Sequence, residues 1–507
     1  MPEYLLGIDN GATVSKVVVF DLSGAVVGSA ARQAAVCYPR PGWAERPADE
    51  LWRDTAAAIR AALEASGARP GDIAAIGACG YGNGLYLLDQ RGLPLRPGIL
   101  SMDTRAADVI AGWQARGVLD AVRPAIGQTP YAAQPPALLR WLKLHEPAAY
   151  ARIGAVLLIK DFVTSRLTGV PASDFGDMSA AGLLNLRTRG YAPELLESFG
   201  IPEVAGALPP LHESSALVGR VVGAAARETG LRAGTPVAAG MFDACAGPLG
   251  AGAIELGQLC ATVGTWGVNA LVARAPAEAR PGLFSACYTL GRWLTIDASP
   301  SSAANLEWFV REFCAEERAE AQARGVSAYE VCGEKVAARA PAATSLVFHP
   351  FLYGSNTQAA ARAGFYGLAG WHTRADLLRA LFEGVAYGHR AQLERLLAGA
   401  APAFARMIGG GARSPVWAQM FADVLELPIE VPRGREIGAR GAALSAGIGV
   451  GAYADAADAV AQAVSIERRY TPDPAASARY RAGYAAYAEL AQAMRQPWEA
   501  LWRLERA

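Results

Sequence analysis

Residues 5–21, LLGIDNGATVSKVVVFD, set the reading of the whole chain. An apolar run leads into Asp9, a small-residue turn follows at Gly11, Ala12 and Thr13, and a Val/Phe-rich run leads back out. Two short β-branched runs about a glycine-containing turn predict a hairpin. A carboxylate closes its first strand, and a glycine beside a hydroxyl forms its tip. Such a tip offers unhindered backbone N–H groups to a phosphate, with Asp9 placed to hold a hydrated divalent cation beside it. An ordinary hairpin uses Asp and Gly for the turn alone.

What favours the phosphate reading is a second occurrence about half a chain later. Residues 257–270, GQLCATVGTWGVNA, are again an apolar segment, a Gly-Thr break at Gly264 and Thr265, and a further apolar segment. Two such hairpins, one per half, suggest a duplicated fold with a nucleotide between the halves.

At 507 residues and 52% hydrophobic content, the chain can bury the cores of two to four domains. Lys+Arg and Asp+Glu both number 47, so no basic footprint for nucleic acid is present. The 7 cysteines are odd in number, lack CxxC spacing and sit in apolar surroundings, which reads as reduced thiols of a cytoplasmic protein. The longest small-apolar stretch, residues 237–254, is broken by Asp243, Pro248 and several glycines, so no membrane span is expected. No signal peptide is expected ahead of the first strand.

Strands and helices alternate along the chain, so the class is α/β. Helical spacing covers residues 48–65. Residues 73–77 read as a buried strand running into CGYGNG (79–84), with Asn83 at the tip of that turn. Asn83 is there either for left-handed backbone geometry or as a polar hand on a polyol. ILSMDTR (99–105) ends in Asp103 and Arg105, a local ion pair or a ligand contact. A Pro-started helix covers 134–146, and 153–169 reads as strand then helix, with Lys160 and Asp161 at the junction. Residues 219–230 are expected to be helical, and 236–239 a strand entering Asp243. In the second half, 303–317 reads as one helix, 346–353 as a strand and 374–397 as a long amphipathic helix. Residues 405–408 lead into IGGGARS (408–414), a helix at 415–425 and a strand at 429–431. A Gly/Ala-rich helical region begins at Gly438.

Strand, glycine turn and helix at 408–415 is an arrangement in which backbone N–H groups and a helix N-terminus meet a phosphate. No GxxxxGK[ST] occurs, and the one loose GxGxxA (447–452) ends a helical pattern instead of following a strand. Gly409, Gly410 and Gly411 serve equally as a tight connection. Asp243, just after a strand, is either a general base or a helix cap. Phosphoryl transfer needs phosphate donors, a cation carboxylate and a base near the acceptor hydroxyl, and these turns and carboxylates make up that set.

With these residues in view, the chain resembles the FGGY family of carbohydrate kinases, in the actin/hexokinase-like superfamily, almost end to end. LGIDNGATVSKVVVFD resembles the first phosphate loop and TVGTWG (262–267) the second. IGGGARSPVWAQMFADVLELPI (408–429) resembles the adenosine-motif segment, and AAGMFDACAG (238–247) the catalytic-base segment. AGFYGLAGWHTRADLLRALFEGVAY (363–387) and PPALLRWLKLHEP (135–147) resemble the two family signatures, with Leu381 and Leu138 off-pattern. Ala12 stands where most members carry Thr.

The resemblance implies two RNase H-like, actin-like ATPase domains around a central cleft, residues 1–250 for sugar and 251–507 for nucleotide. It implies ATP and Mg²⁺ as cofactors. Asp9 would hold Mg²⁺ through water. Gly11, Thr13, Gly264 and Thr265 would face the phosphates, Gly409 to Ala412 would cradle the nucleotide, and Asp243 would be the base. Asn83, Asp103, Tyr131, Gln134 and Asp243 are the candidate sugar contacts. A small-molecule sugar or polyol is the expected partner, and a homodimer the assembly carried with it.

D-xylulose kinases share QMHG and Asp-Asn where this chain has Tyr81-Gly82-Asn83-Gly84 and Asp243-Ala244. PGWAER (41–46), ASPSSAANLEWF (298–309) and PFLYGSN (350–356) look more like the L-xylulose kinase branch. GNGLYLLD and SMDTRA also resemble erythritol kinases, so a four- to five-carbon polyol is the alternative acceptor. A weakly catalytic sugar-sensing regulator and an actin-like ATPase are the rival classes. Retention of Asp9 and Asp243 speaks against the first, and the tailored segments at 41–46 and 79–84 against the second.

Overall fold

Residues 5–21 form the expected hairpin. Strands β1 (Tyr4–Asn10) and β2 (Val14–Asp21) pair antiparallel, which sets Asp9 opposite Lys16. The structure, a computed structural model, describes residues 3–278, 280–339, 345–397 and 402–504. Strand β3 (Val26–Gln33) continues the meander on β2, while β4 (Ile73–Gly80) joins the other side of β1 in parallel. Parallel neighbours need a crossover, and α1 (Ala48–Ser66) supplies it with a buried stripe of Leu51, Ala58, Ile59 and Ala62. Helices α2 (Ile159–Thr168) and α3 (Phe175–Ala180) follow. Strands β5 (Leu217–Arg220), β6 (Pro236–Ala238) and β7 (Met241–Phe242) complete the first sheet, ordered β5-β6-β4-β1-β2-β3 with β7 also on β4. Helix α4 (Asp243–Ala251) leaves directly from β7.

The second half repeats the plan. Strands β8 (Leu259–Val263) and β9 (Gly267–Ala273) form the second hairpin, and β10 (Leu283–Cys287) and β11 (Trp293–Ser299) extend it antiparallel. On the other side β12 (Ala405–Ile408) and β13 (Ile429–Pro432) add in parallel, and β14 (Ile466–Tyr470) closes the order β10-β11-β9-β8-β12-β13-β14. Helix α5 (Arg374–Leu397) covers β9 and β11, and α6 (Pro415–Leu425) follows the glycine turn.

The halves exchange helices. Helix α7 (Ile437–Gly449), from the second half, lies on β1 and β4 of the first sheet, while α4 lies on β8, β9 and β12 of the second. Glycines set the closeness of this packing. A Cβ on Gly77 would stand 1.9 Å from the Ala442 carbonyl oxygen, and one on Gly441 1.9 Å from that of Ala246. Side chains of both sheets and both helices merge into one core, from Leu5 and Val18 through Ala443 and Cys245 to Val272 and Ile296.

Three expected elements differ. Residues 219–230 are not one helix: Gly219 lies in β5, paired with β6, and helix begins only at Gly223. A Cβ at Gly219 would come 2.8 Å from Thr168, so the glycine serves a close approach. The helix expected at 303–317 breaks at buried Cys314 (φ −111°, ψ 51°) into Ala304–Phe313 and Ala315–Arg324. The strand expected at 346–353 is only Val347–His349, ended by Pro350, which has no N–H for a ladder.

Candidate active site

Three strand ends meet at one corner. Asp9 near the end of β1 is in register with Cys79 of β4, which is in turn in register with Met241 of β7. Asp243, two residues on, is the first residue of α4. The Cys79 thiol donates to Asp9, and burial pushes that thiol well up, with Asp9 and Asp243 adding to the effect. Burial also raises the Asp9 carboxyl, against the pull of Lys16. Asp243 is pushed up to about 7, first by burial and then by the Asp9 charge, with one opposing hydrogen bond from the Ala244 backbone. A carboxylate whose value sits near neutrality, with no ion pair among the described residues, is suited to taking a proton.

Beside this corner stands the turn after β4. Gly82 packs so tightly on Phe242 that a Cβ would come within 2.6 Å of its ring. Asn83 adopts φ +67°, the left-handed geometry, and its Oδ1 is buried without a hydrogen-bond partner. Both readings of Asn83 therefore have a structural counterpart. Gly84 N donates to Ala133 O at 2.9 Å, and a Cβ there would meet Ile99 O at 2.4 Å. The turn thus gathers the segments that carry Asp103, Tyr131 and Gln134.

These three candidates are not equally available. Asp103 is buried and saturated: Arg105 Nε and Nη2 donate to it at 2.9 and 2.8 Å, and Ala44 N at 2.7 Å. Arg105 is itself stacked on Trp43, 4.0 Å from the ring centroid. Gln134 is buried too, with Nε2 donating to Gln128 Oε1 at 2.8 Å and Oε1 accepting from Tyr131 N at 3.3 Å. Tyr131 is exposed.

On the second sheet, the hairpin tip and the glycine turn form one surface. Gly409 adopts φ +89°, and a Cβ there would lie 2.6 Å from Val263 O. A Cβ on Gly411 would lie 2.4 Å from the Val263 side chain, whereas Gly410 faces open space. Ala412 is buried behind it. Thr265 is exposed at the tip, as Thr13 is on the first hairpin beside Gly11, and Gly264 O accepts from Ala303 N at 2.8 Å. Helix α4 links the two surfaces: it begins at Asp243, and Gly247 abuts Ile408, just before the turn.

Sequence reasoning passed over several neighbours. Lys16 pairs with Glu436 at 2.7 Å, pinning the first hairpin to the start of α7. Period-2 alternation in the hairpin places Lys16 beside Asp9, a signal the sequence did carry. Gly438 packs on the Asp9 carboxylate, a contact across most of the chain that no local pattern announces. Lys160 is fully buried among Asp161, Asp174 (2.9 Å) and Asp177 (3.6 Å). Burial works against its charge, yet the three carboxylates hold it above its ordinary value.

The sequence model of the FGGY family of carbohydrate kinases, N-terminal domain, matches residues 4–250, and that of the C-terminal domain matches 259–450. The chain belongs to the FGGY family of carbohydrate kinases. This kinase is 37% identical over 497 residues to the L-xylulose/3-keto-L-gulonate kinase of Escherichia coli, covering 97% of this chain and 98% of that one. It is also 37% identical over 495 residues to a probable L-xylulose kinase of Pasteurella multocida, covering 97% and 99% of the two chains. Among solved structures it is similar to a xylulose kinase from Rhodospirillum rubrum, with a TM-score of 0.86, 29% identity and coverage of 98% and 100%. The two sheets are accordingly those of two actin-like ATPase domains.

Among the described residues no group of three or more His, Cys, Asp or Glu is arranged to hold a metal ion, and no helix is long and apolar enough to cross a membrane. The donor set nevertheless fits Mg²⁺, which takes one or two carboxylates and fills its remaining positions with water and substrate phosphates. Gly409 and Gly411 pack on Val263 and hold the turn against the hairpin, and the open space at Gly410 leaves room for a nucleotide.

Proposed function

We propose that this kinase transfers the γ-phosphoryl group of ATP to a hydroxyl of a pentulose, L-xylulose favoured, with Asp243 as general base. The observation that carries the reading is Asp243 itself. Its carboxylate forms no ion pair among the described residues, stands at the start of a helix between the Asn83 turn and Asp9, and is lifted by burial to about 7, so that it can take up a proton near neutral pH. The names of the relatives that share 37% of the sequence support the choice of sugar.

Residues 1–250 supply the sugar wall and 251–507 the nucleotide surface. Asn83 Oδ1 accepts from a sugar hydroxyl, and Tyr131 lines the entrance. Asp103 and Gln134 shape the wall through their internal bonds. The Asp243 carboxylate takes the acceptor proton as the hydroxyl oxygen turns nucleophile. The Thr13 and Thr265 hydroxyls face the phosphates from tips shaped by Gly11 and Gly264, whose own amides donate within the hairpins to the Val14 and Trp266 carbonyls, and Gly409 to Ala412 cradle the nucleotide. Asp9 would hold Mg²⁺ through water, and that ion supplies neutralisation of phosphate charge when bound.

The test is Mg²⁺-dependent ADP release across L-xylulose, D-xylulose, L- and D-ribulose, erythritol, xylitol and glycerol, with an Asp243→Asn variant alongside. Strong preference for L-xylulose, silenced in the variant, is the expected result. Preference for erythritol would move the substrate to the polyol class. ADP release without acceptor that survives the substitution would overturn the base assignment.

A further inference from the structure

Behind the second sheet lies a cavity of about 210 Å³ that the proposed transfer does not use. It opens between the later turns of α5, the loop 350–358, α8 (Pro474–Ala493) and α9 (Arg495–Leu504). Its floor is aromatic, with Phe351 edge-on to Trp498 at 5.5 Å, and its walls carry amides and hydroxyls. Two arginines line it, and among the described residues no Asp or Glu does. Arg395 is engaged by Asp297, Nη2 to Oδ2 at 2.8 Å. The Arg495 guanidinium and the Tyr487 hydroxyl take no hydrogen bond or ion pair among the described residues. An aromatic floor, neutral hydrogen-bonding walls and an exposed guanidinium at the rim with no acidic residue on the lining suit a small polyhydroxylated anion.

A buried chain of hydrogen bonds runs from this cavity to the phosphate-facing hairpin. Gln392, which lines the cavity, accepts at Oε1 from Asn269 Nδ2 at 2.8 Å. Asn269 Oδ1 meets His389 Nδ1 at 3.1 Å, and His389 Nε2 meets Ser302 Oγ at 3.0 Å. Ser302 N then donates to the Thr265 carbonyl at 3.3 Å. Burial lowers His389 to about 3, so its ring is neutral, donating from Nδ1 and accepting at Nε2. The side chains of Gln392, Asn269, His389 and Ser302 are all buried and form one continuous hydrogen-bonded path from the cavity to the hairpin tip.

We propose that this cavity is a regulatory site for a small phosphorylated polyol, a sugar phosphate, whose occupancy is read at the Thr265 tip. The site lies outside the catalytic corner, so binding can be measured without turnover and its failure told apart from failure of the proposed transfer. Calorimetric titration of the whole chain uses ribose 5-phosphate as probe, with ribitol and inorganic phosphate as controls. The expected result is binding at least tenfold tighter than either control, weakened at least fivefold by Arg495→Glu and by Tyr487→Phe. Both variants keep the wild-type KM for the sugar. The probe is also expected to change the KM for ATP at least twofold in the wild type and not in Arg495→Glu. Absence of binding, or binding that survives both substitutions, overturns the site. Inorganic phosphate binding as tightly as the probe overturns the polyol half of the proposal. Binding that leaves the KM for ATP unchanged overturns the link to Thr265.

Discussion

Gly438 and Asp9 touch across the junction of the two halves: a Cβ on Gly438 would stand 2.9 Å from Asp9 Oδ2. The glycine keeps the carboxylate where it is. Replacing it with alanine improves helix propensity in α7 but drives the Asp9 oxygen aside. Gly438→Ala is therefore expected to leave the melting temperature unchanged or slightly higher. It should lower kcat/KM by about 10- to 100-fold, because misplacement near 1 Å is costly at a reacting centre. Steady-state ADP release and a thermal melt on the same preparation check both halves of this expectation.

The raised Asp243 carboxyl gives activity and stability opposite pH trends. A general base must be ionised, so kcat/KM should fall about tenfold per pH unit below about 7 and level off above it. For stability, the folded state binds this proton more tightly than the unfolded chain does. The group's contribution is thus full below the unfolded carboxyl value of about 4 and is lost as pH rises through about 7. Asp243→Asn should abolish transfer yet melt at a higher temperature than the wild type at pH 8. The difference should vanish toward pH 4, and melts across that range decide it.

At Gly409 the left-handed backbone and the 2.6 Å approach to Val263 O both exclude a side chain. Gly409→Ala is expected to cost about 1–3 kcal/mol of stability, the range for a non-glycine residue held in such a conformation. The KM for ATP should rise while the KM for the sugar stays near wild type. Equal loss on both substrates would remove the glycine turn from the nucleotide side.

Among the described residues Lys160 is the one cation paired with three buried carboxylates. Lys160→Met keeps most of the side chain's length and apolar bulk and deletes its charge, which leaves those carboxylates without their cation. A loss of about 3–5 kcal/mol in urea unfolding is expected. The loss should shrink at low pH, where the freed carboxyls take up protons.

Both hairpins, the glycine turn and α6 were legible in the sequence because each is written in adjacent letters: alternation, a Gly-Thr break, three glycines before a proline. Asp9 and Asp243 stood out as carboxylates at strand ends for the same reason. The break at Cys314 carries no proline or glycine to mark it, so residues 303–317 read as a single helix. The Ala-rich run after Gly223 suits a helix, and the reading of 219–230 as one helix extends it too far back: Val218, Val221 and Val222 are β-branched, and Gly219 pairs with β6. The Asp103 carboxylate, a candidate sugar contact, has its oxygens engaged by Arg105 and the Ala44 amide. Only three-dimensional proximity over 59 residues reveals that second partner.

The exchange of α4 and α7 between the sheets bears on how this gene can be divided. A fragment ending after α4 would hold a first sheet lacking the helix that covers β1 and β4, with α4 itself stripped of its partner strands. The complementary fragment would expose β8, β9 and β12 in the same way. Each half is thus an incomplete fold whose missing layer is encoded in the other. Synthesised separately they should aggregate, and synthesised together they should reassemble into one working enzyme.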